Sequence, residues 1–230
     1  MDDQLVLDLA ATIRHDGHGG VADDLNTPAG LTRWLRERPE DSAVSRAVDI
    51  RRYTADEEAL RAVREVRTAA RALFARAVAP GPPSRADAGR LPAAGTALDV
   101  LAAAAARVPT VPRLLWPADG QPVVVREWLT GAAESGPAER GPVERGVAEA
   151  GQGPGPADRL AAVLAEAAMA FLAGPGRELL RACPAPRCVR YFVKEHPRQE
   201  WCKPSCGNRA RVARHHARRR AVPPEGGAGG

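Results

Sequence analysis

The chain has 230 residues, of which 44 % are hydrophobic and 27 % charged, and a formal net charge of +5. That length holds one medium domain, or one domain plus a small appendage, and no apolar run is long enough to cross a bilayer as a helix. The charge is uneven: residues 177–220 carry 13 Lys+Arg against 3 Asp+Glu, whereas residues 1–176 carry 20 Arg against 24 Asp+Glu. An acidic body with a basic end is the electrostatic pattern of a phosphate-binding module on a carrier domain. Arg outnumbers Lys 31 to 2, so the position of the charge carries more information than the Arg content.

The acidic start Met1-Asp2-Asp3-Gln4-Leu5 lacks the basic region and apolar core of a secretory signal, and a cytoplasmic location is expected. Residues 5–13 are mostly apolar and read as a short helix. Residues 14–20 read as a polar loop. His15, Asp16, His18, Asp23 and Asp24 could be drawn as a second metal site, but they lack a fixed ligand spacing, and a polar loop is preferred. Thr27 and Pro28 suit the N-cap and first position of a helix whose stripe is Leu31, Trp34 and Leu35. Pro39 ends it.

The segment 54–79 gives the clearest helical pattern. Thr54 and Glu57 fit a capping box, and Leu60, Val63, Val66/Arg67, Ala70, Leu73, Phe74 and Ala77 recur at helical spacing. Residues 80–92 read as a loop and 96–108 as a buried helix. Val111–Trp116 and Gln121–Trp128 flank an Asp-Gly turn and predict a β-hairpin. Residues 131–156 are rich in Gly, Pro, Ala and Glu and read as a flexible linker or insertion. Residues 157–173 return to helix, with Leu160, Val163, Leu164, Ala167, Ala168 and Phe171 on one side. A turn of helix from 177 to 181 then leads to the first cysteine. Residues 221–230 are expected to be disordered.

All four cysteines lie in one stretch, Cys183, Cys188, Cys202 and Cys206, as two close pairs. In a reducing compartment two such pairs read as metal ligands rather than disulfides. Zinc takes four tetrahedral thiolate or imidazole ligands at about 2.3 Å, and four protein ligands close the site, so one structural Zn²⁺ without metal-based catalysis is expected. His196, between the pairs, is a weighed alternative ligand, but four thiols already complete the set. The formal −2 of a four-thiolate zinc calls for nearby cations, with Arg181, Arg187, Arg190, Lys203 and Arg209 as candidates. So small a module cannot bury much core, so metal binding is expected to supply most of its folding energy.

Tyr191, Phe192 and Trp201 read as the core of this module, with stacking on bases as the alternative. Gly207 reads as a tight-turn residue, and Asn208 as a helix cap or a phosphate or base contact. In the helix from about 208 to 220, Ala210, Ala213 and Ala217 share a packing face. Arg211, Arg214, His215 and Arg218 line another, with Arg209, His216, Arg219 and Arg220 beside it. Such a helix repels itself unless a polyanion relieves it. Asn208, Arg209, Arg211, Arg214, His215, Arg218, Arg219 and Arg220 are therefore the candidate nucleic-acid contacts.

The cysteine stretch, with Tyr191-Phe192, Trp201-Cys202 and Cys206-Gly207-Asn208-Arg209, resembles the CGNR zinc finger. The upstream chain resembles the ABATE domain that normally precedes it, through Leu5-Val-Leu-Asp-Leu followed by Thr12, and Thr27-Pro-Ala-Gly-Leu-Thr-Arg-Trp-Leu35. Where that domain's opening shows Asn-Thr, this chain has Ala11-Thr12. The resemblance implies a stress-induced transcriptional regulator.

The expected fold is a mainly α N-terminal domain with a small β-hairpin (α+β), then a small four-cysteine zinc finger followed by a basic helix. The expected parts are an ABATE-like regulatory domain (1–130), a linker (131–156), a connecting helix (157–176), the finger with its basic helix (177–220) and a tail (221–230). DNA is the expected partner, without membrane association, and with an unidentified small-molecule effector and a homodimer also in view. The hairpin region 113–128 and the 14–26 loop are the places expected to hold an effector pocket. An RNA-binding protein and a thiol-redox sensor that releases zinc on oxidation are the rival readings. An enzyme is not expected, because no Ser/His/Asp arrangement, phosphate-cradling Gly loop or paired-carboxylate signature is present.

Overall fold

The structure, a computed structural model, describes residues 3–87, 89–128 and 154–221. The expected linker and tail therefore lie almost entirely outside the described residues.

The apolar start forms helix α1 (Asp3–Ala11). The segment read as a polar loop folds into a small hairpin, β1 (Ile13–His15) against β2 (Val21–Asp23). Three-residue strands are too short to show alternation, which is why the sequence does not announce them. Asp16 closes the turn: its Oδ1 accepts from the His18 and Gly20 amides at 2.8 and 2.9 Å.

Helix α2 (Pro28–Arg36) begins as expected, with Thr27 Oγ1 accepting from the Gly30 amide at 3.1 Å. Position 30 requires glycine, because a Cβ there would stand 2.2 Å from the Asp24 carbonyl oxygen. A short helix α3 (Ala43–Ala47) follows, capped by Ser42.

The long helix α4 (Glu57–Ala77) is capped by Asp56, whose Oδ1 accepts from the Ala59 amide at 2.8 Å. The Thr54/Glu57 capping box is thus corrected, because the helix starts two residues later than that box requires. Helices α5 (Ala94–Ala106) and α6 (Pro156–Ala173) pack against α4 and against each other. The expected connecting helix is therefore part of the main core, with Leu160, Leu164, Ala168 and Phe171 almost fully buried. Strands β3 (Thr110–Leu115) and β4 (Val123–Trp128) form the expected hairpin, with Leu114 opposite Val124.

A 3-10 turn (Pro175–Leu179) leads into β5 (Leu180–Ala182), which pairs with β6 (Tyr191–Val193). The expected helical turn at 177–181 is thus half 3-10 and half strand. Pro175 and Gly176 start it tightly, and the β5–β6 pairing takes over at Leu180. Helix α7 (Pro204–Ala221) closes the described chain.

One core holds most of this together. Phe74 of α4 meets Phe171 of α6 at 5.3 Å between ring centroids and the Tyr191 ring of β6 edge-on at 5.5 Å. Burial of such aromatics is the largest apolar contribution available here, and edge-to-face contact adds roughly 0.5–1.5 kcal/mol. Tyr191 and Leu180 thus belong to the main core, while Phe192 packs with the cysteines. No helix among the described residues is long and apolar enough to cross a membrane.

Candidate metal centre and basic helix

Two turns bring the four thiols together. In the first, the Cys183 amide donates to the Arg190 carbonyl at 2.9 Å and the Cys188 amide to the Ala185 carbonyl at 3.0 Å. Arg187 adopts a left-handed backbone (φ 63°) to bring Cys188 back toward Cys183. In the second, Cys202 precedes α7 and Cys206 lies in its first turn, its amide donating to the Lys203 carbonyl at 3.0 Å.

All four Sγ atoms fall within 4.8 Å of one another, and Cys183, Cys188 and Cys206 are buried. Cys188 and Cys202 Sγ are 3.7 Å apart, and Cys202 and Cys206 Sγ 3.5 Å. Tetrahedral ligands at about 2.3 Å from zinc stand roughly 3.8 Å from each other. The four cysteines are therefore positioned to bind one metal ion, and the donor set fits a single structural Zn²⁺. His196 is exposed and outside the cluster, and it is the only such cluster of potential ligands among the described residues.

The thiols perturb one another. Hydrogen bonds from the Cys183 and Cys202 thiols stabilise the Cys188 thiolate and bring its pKa far down. The bond to Cys188 pushes Cys183 up to about 11 against the opposing effect of Cys202, and bonds to Cys183 and then Cys188 push Cys202 higher still. Arg209 Nη2 lies 3.0 Å from Cys206 Sγ and is the cation that offsets the sulfur charge. That contact raises its pKa above the usual guanidinium value. Of the expected counter-cations, Arg181 turns away and donates to the Glu178 and Leu180 carbonyls at 2.8 and 2.7 Å.

Trp201 and Phe192 wrap the cluster. Gly207 lies inside α7, not in a turn as expected, and a Cβ there would meet Trp201 Cδ1 at 2.9 Å. Its role is to let the indole approach the helix backbone. Asn208 is likewise within the helix and exposed, so it does not cap it; its Oδ1 accepts from Arg211 Nη1 at 3.2 Å. Ala210 is buried against the knuckle and Ala213 half-buried, but Ala217 is exposed. The packing face therefore ends after two turns. Beyond it Arg211, Arg214, His215, His216, Arg218, Arg219 and Arg220 are all exposed, and residues 201–220 contain no Asp or Glu.

The helix α4 arginines link this module to the rest of the chain. Arg71 is 2 % exposed. Its Nε donates to Asp87 Oδ1 at 2.9 Å, Nη1 to the Ala10 carbonyl at 2.6 Å, and Nη2 to the Val189 carbonyl at 3.3 Å and Ser84 Oγ at 3.2 Å. Ser84 Oγ also donates to the Val189 carbonyl at 2.8 Å, and Tyr191 Oη donates to Asp87 Oδ2 at 2.7 Å. Every polar group of this buried set has a partner, which is the condition under which such a network fixes one arrangement. Sequence reasoning missed Arg71, Ser84 and Asp87. The available signal was an arginine four residues after Arg67 on the apolar stripe.

The regions expected to hold an effector pocket behave differently. Asp23 pairs with Arg67 and Asp24 with Arg14, so the 14–26 loop spends its carboxylates on structure. Hollows of about 350 and 570 Å³ lie between α4 and α5, and where α4, α5 and α6 meet the 3-10 turn; neither is lined by that loop or the hairpin.

Residues 3–175 match the sequence model of the ABATE family, described as "Putative stress-induced transcription regulator". Residues 180–219 match that of the CGNR zinc finger. No curated protein matches the chain. Neither matched family is a family of enzymes.

Proposed function

We propose, since this chain belongs to the ABATE family and ends in a CGNR zinc finger, that it is a zinc-dependent, DNA-binding transcription regulator of the cytoplasm, responsive to stress or to a small ligand. The observation that carries the reading is α7. Its first turns are anchored by Cys206 and Ala210, and the remainder projects with seven exposed Arg and His side chains and no acid.

The 18 residues of α7 span about 27 Å at 1.5 Å per residue. A metal ligand in the first turn fixes the direction in which the charged portion points. The major groove of B-DNA, about 12 Å wide, admits an α-helix, whereas the deep and narrow groove of A-form RNA does not. That geometry favours DNA over RNA. Arg211, Arg214, Arg218, Arg219 and Arg220 supply phosphate contacts, and Val212, 56 % exposed, is the bulkiest apolar side chain on the projecting part. It can meet a thymine methyl. Arg209 leaves the set of candidate contacts, since its guanidinium is held by Cys206.

A signal sensed by the N-terminal domain has a physical route to the finger. Movement of α4 or of the loop bearing Ser84 and Asp87 would pull on the Val189 carbonyl and on Tyr191.

The reading is tested by selecting bound fragments from random duplex DNA and from RNA, at matched salt, with zinc-loaded protein. Enrichment of a duplex sequence supports it. Recovery of RNA alone, or of nothing, overturns it.

A further inference from the structure

We propose that the hollow of about 570 Å³ where α4, α5 and α6 meet the 3-10 turn is an effector site for an apolar monocarboxylate, a small molecule with an apolar body and one anionic group. The site deepens the reading of the chain as responsive to a small ligand, and stands on it.

Four elements build the hollow. Leu73, Arg76 and Ala77 stand at i, i+3 and i+4 on α4 and so share one face. Leu98 comes from α5, Leu172 from α6, and Arg177 and Glu178 from the 3-10 turn. Small-molecule sites are hollows of roughly 300–1,000 Å³, walled mainly by apolar side chains with a few polar groups, and they favour junctions between structural units. Leu98 is 51 % exposed, an apolar wall open to an incoming hydrocarbon.

The charge of the lining selects the ligand. Arg76 and Arg177 are exposed, and neither guanidinium has an ion-pair or hydrogen-bond partner among the described residues. Glu178 is the one acid in the lining, so two cations against it leave an excess of one positive charge. A guanidinium matches a carboxylate through two parallel N–H groups. The hollow between α4 and α5 instead sets Arg61 and Arg64 against Glu57 and Glu65, and its charge selects nothing.

The position of the hollow connects it to the finger. Leu73 adjoins Phe74 and Leu172 adjoins Phe171, the two rings that meet at 5.3 Å, and Tyr191 packs on Phe74. The turn ends at Leu179, whose carbonyl accepts from the Lys194 amide at 2.8 Å. The next residue, Leu180, opens the β5–β6 pair whose connecting loop holds Cys183 and Cys188. An occupant held by Arg177 therefore steadies the base of the finger.

The test is calorimetric titration of the zinc-loaded full chain, without DNA, with dodecanoate and with dodecyltrimethylammonium, both below micelle-forming concentrations. Dodecanoate should bind wild type, and the cation should bind about tenfold more weakly or not at all. The Arg76→Gln/Arg177→Gln double variant should lose dodecanoate affinity by about tenfold or more, as expected for charge-assisted hydrogen bonds. Leu98→Gln should also weaken it, and the control Arg61→Gln should not. These side chains are exposed, so circular dichroism and zinc content should stay as in wild type. Exchange of the Lys194 amide should slow when dodecanoate is bound. Absence of dodecanoate binding, equal binding of the two probes, a double variant that binds like wild type, or binding that leaves Lys194 exchange unchanged overturns the proposal. Since no DNA is present, a failed titration leaves the DNA reading standing, and a failed DNA selection leaves the titration readable.

Discussion

Tyr191 Oη donates to one oxygen of the Asp87 carboxylate at 2.7 Å, while Arg71 Nε donates to the other at 2.9 Å. One carboxylate thereby ties a strand of the zinc finger to the longest helix of the N-terminal domain. Burial, reinforced by the neighbouring carboxylate, pushes the Tyr191 hydroxyl well above its ordinary pKa. The phenol therefore stays neutral and keeps its role as donor at any ordinary pH.

Removing Asp87 leaves Arg71 charged, buried and short of its counter-ion. Asp87→Ala should cost about 3–5 kcal/mol, the usual penalty for breaking a buried pair from one side. Tyr191→Phe keeps the ring against Phe74 and loses one buried hydrogen bond, which should cost about 1–3 kcal/mol. Urea unfolding measures both. A Tyr191→Phe chain as stable as wild type would mean that the hydroxyl contributes nothing to the docking.

Chelation gives a second test of docking. Because Tyr191 and Leu180 sit in the main core, zinc removal should lower the melting temperature of the whole chain, and Cys206→Ser should do the same. Metal bound a thousandfold above its Kd contributes about 4 kcal/mol by mass action. Calorimetry with and without chelator reads the shift. A finger that melts alone, with the main transition unmoved, would contradict the shared core.

At Gly207 the prediction concerns packing. Gly207→Ala forces Trp201 away from its 2.9 Å approach, and overpacking of this kind costs about 1–3 kcal/mol. Zinc should pass to a competing chelator at lower chelator concentration than for wild type, with overall helix content retained. Unchanged zinc affinity would show that the indole yields freely.

The helices were legible because their apolar spacing and caps are local. Thr27 and Pro28 mark α2, and Leu60 through Phe74 mark α4. The 110–128 hairpin was legible from its Asp-Gly turn, and the four cysteines from their pairing. What stayed hidden depends on distant partners. Arg67 and Arg71 lie along the apolar stripe of α4, but the partners that let them be buried there, Asp23, Thr12 and Asp87, come from distant parts of the chain. Tyr191 looks like a residue of the small finger until Phe74 meets it. Gly207 looks like a turn residue because the sequence does not show Trp201 lying over it. The three-residue pairs β1–β2 and β5–β6 are too short for any periodic signal.

Acid should expose the other buried arginine. Arg67 donates to both Asp23 oxygens, at 2.5 and 2.7 Å, and to Thr12 Oγ1 at 2.9 Å. Partial burial opposes ionisation of Asp23, but the bonds and charge of Arg67, with the Leu25 amide, outweigh it and hold the carboxyl below its usual pKa. A depressed folded pKa gives stability that is complete above the unfolded value, near 3.9, and lost as pH falls through the folded one. Asp23→Asn should thus be less stable than wild type at neutral pH and lose less on acidification. Denaturant midpoints followed from neutral pH into strong acid check this. Parallel acid profiles for the two proteins would place the acid sensitivity elsewhere.

The central claim, that the zinc-anchored helix α7 holds the polyanion contacts, is tested most directly by the salt dependence of DNA binding. Duplex affinity should be measured against salt for zinc-loaded wild type and for the Arg211→Ala/Arg214→Ala/Arg218→Ala triple variant. Each phosphate contact contributes about −0.9 to the slope of log affinity against log salt, so the triple variant should lose roughly three units of slope together with much of its affinity. Binding that is independent of salt, or a slope that the triple variant leaves unchanged, would contradict the assignment of α7 as the contact surface.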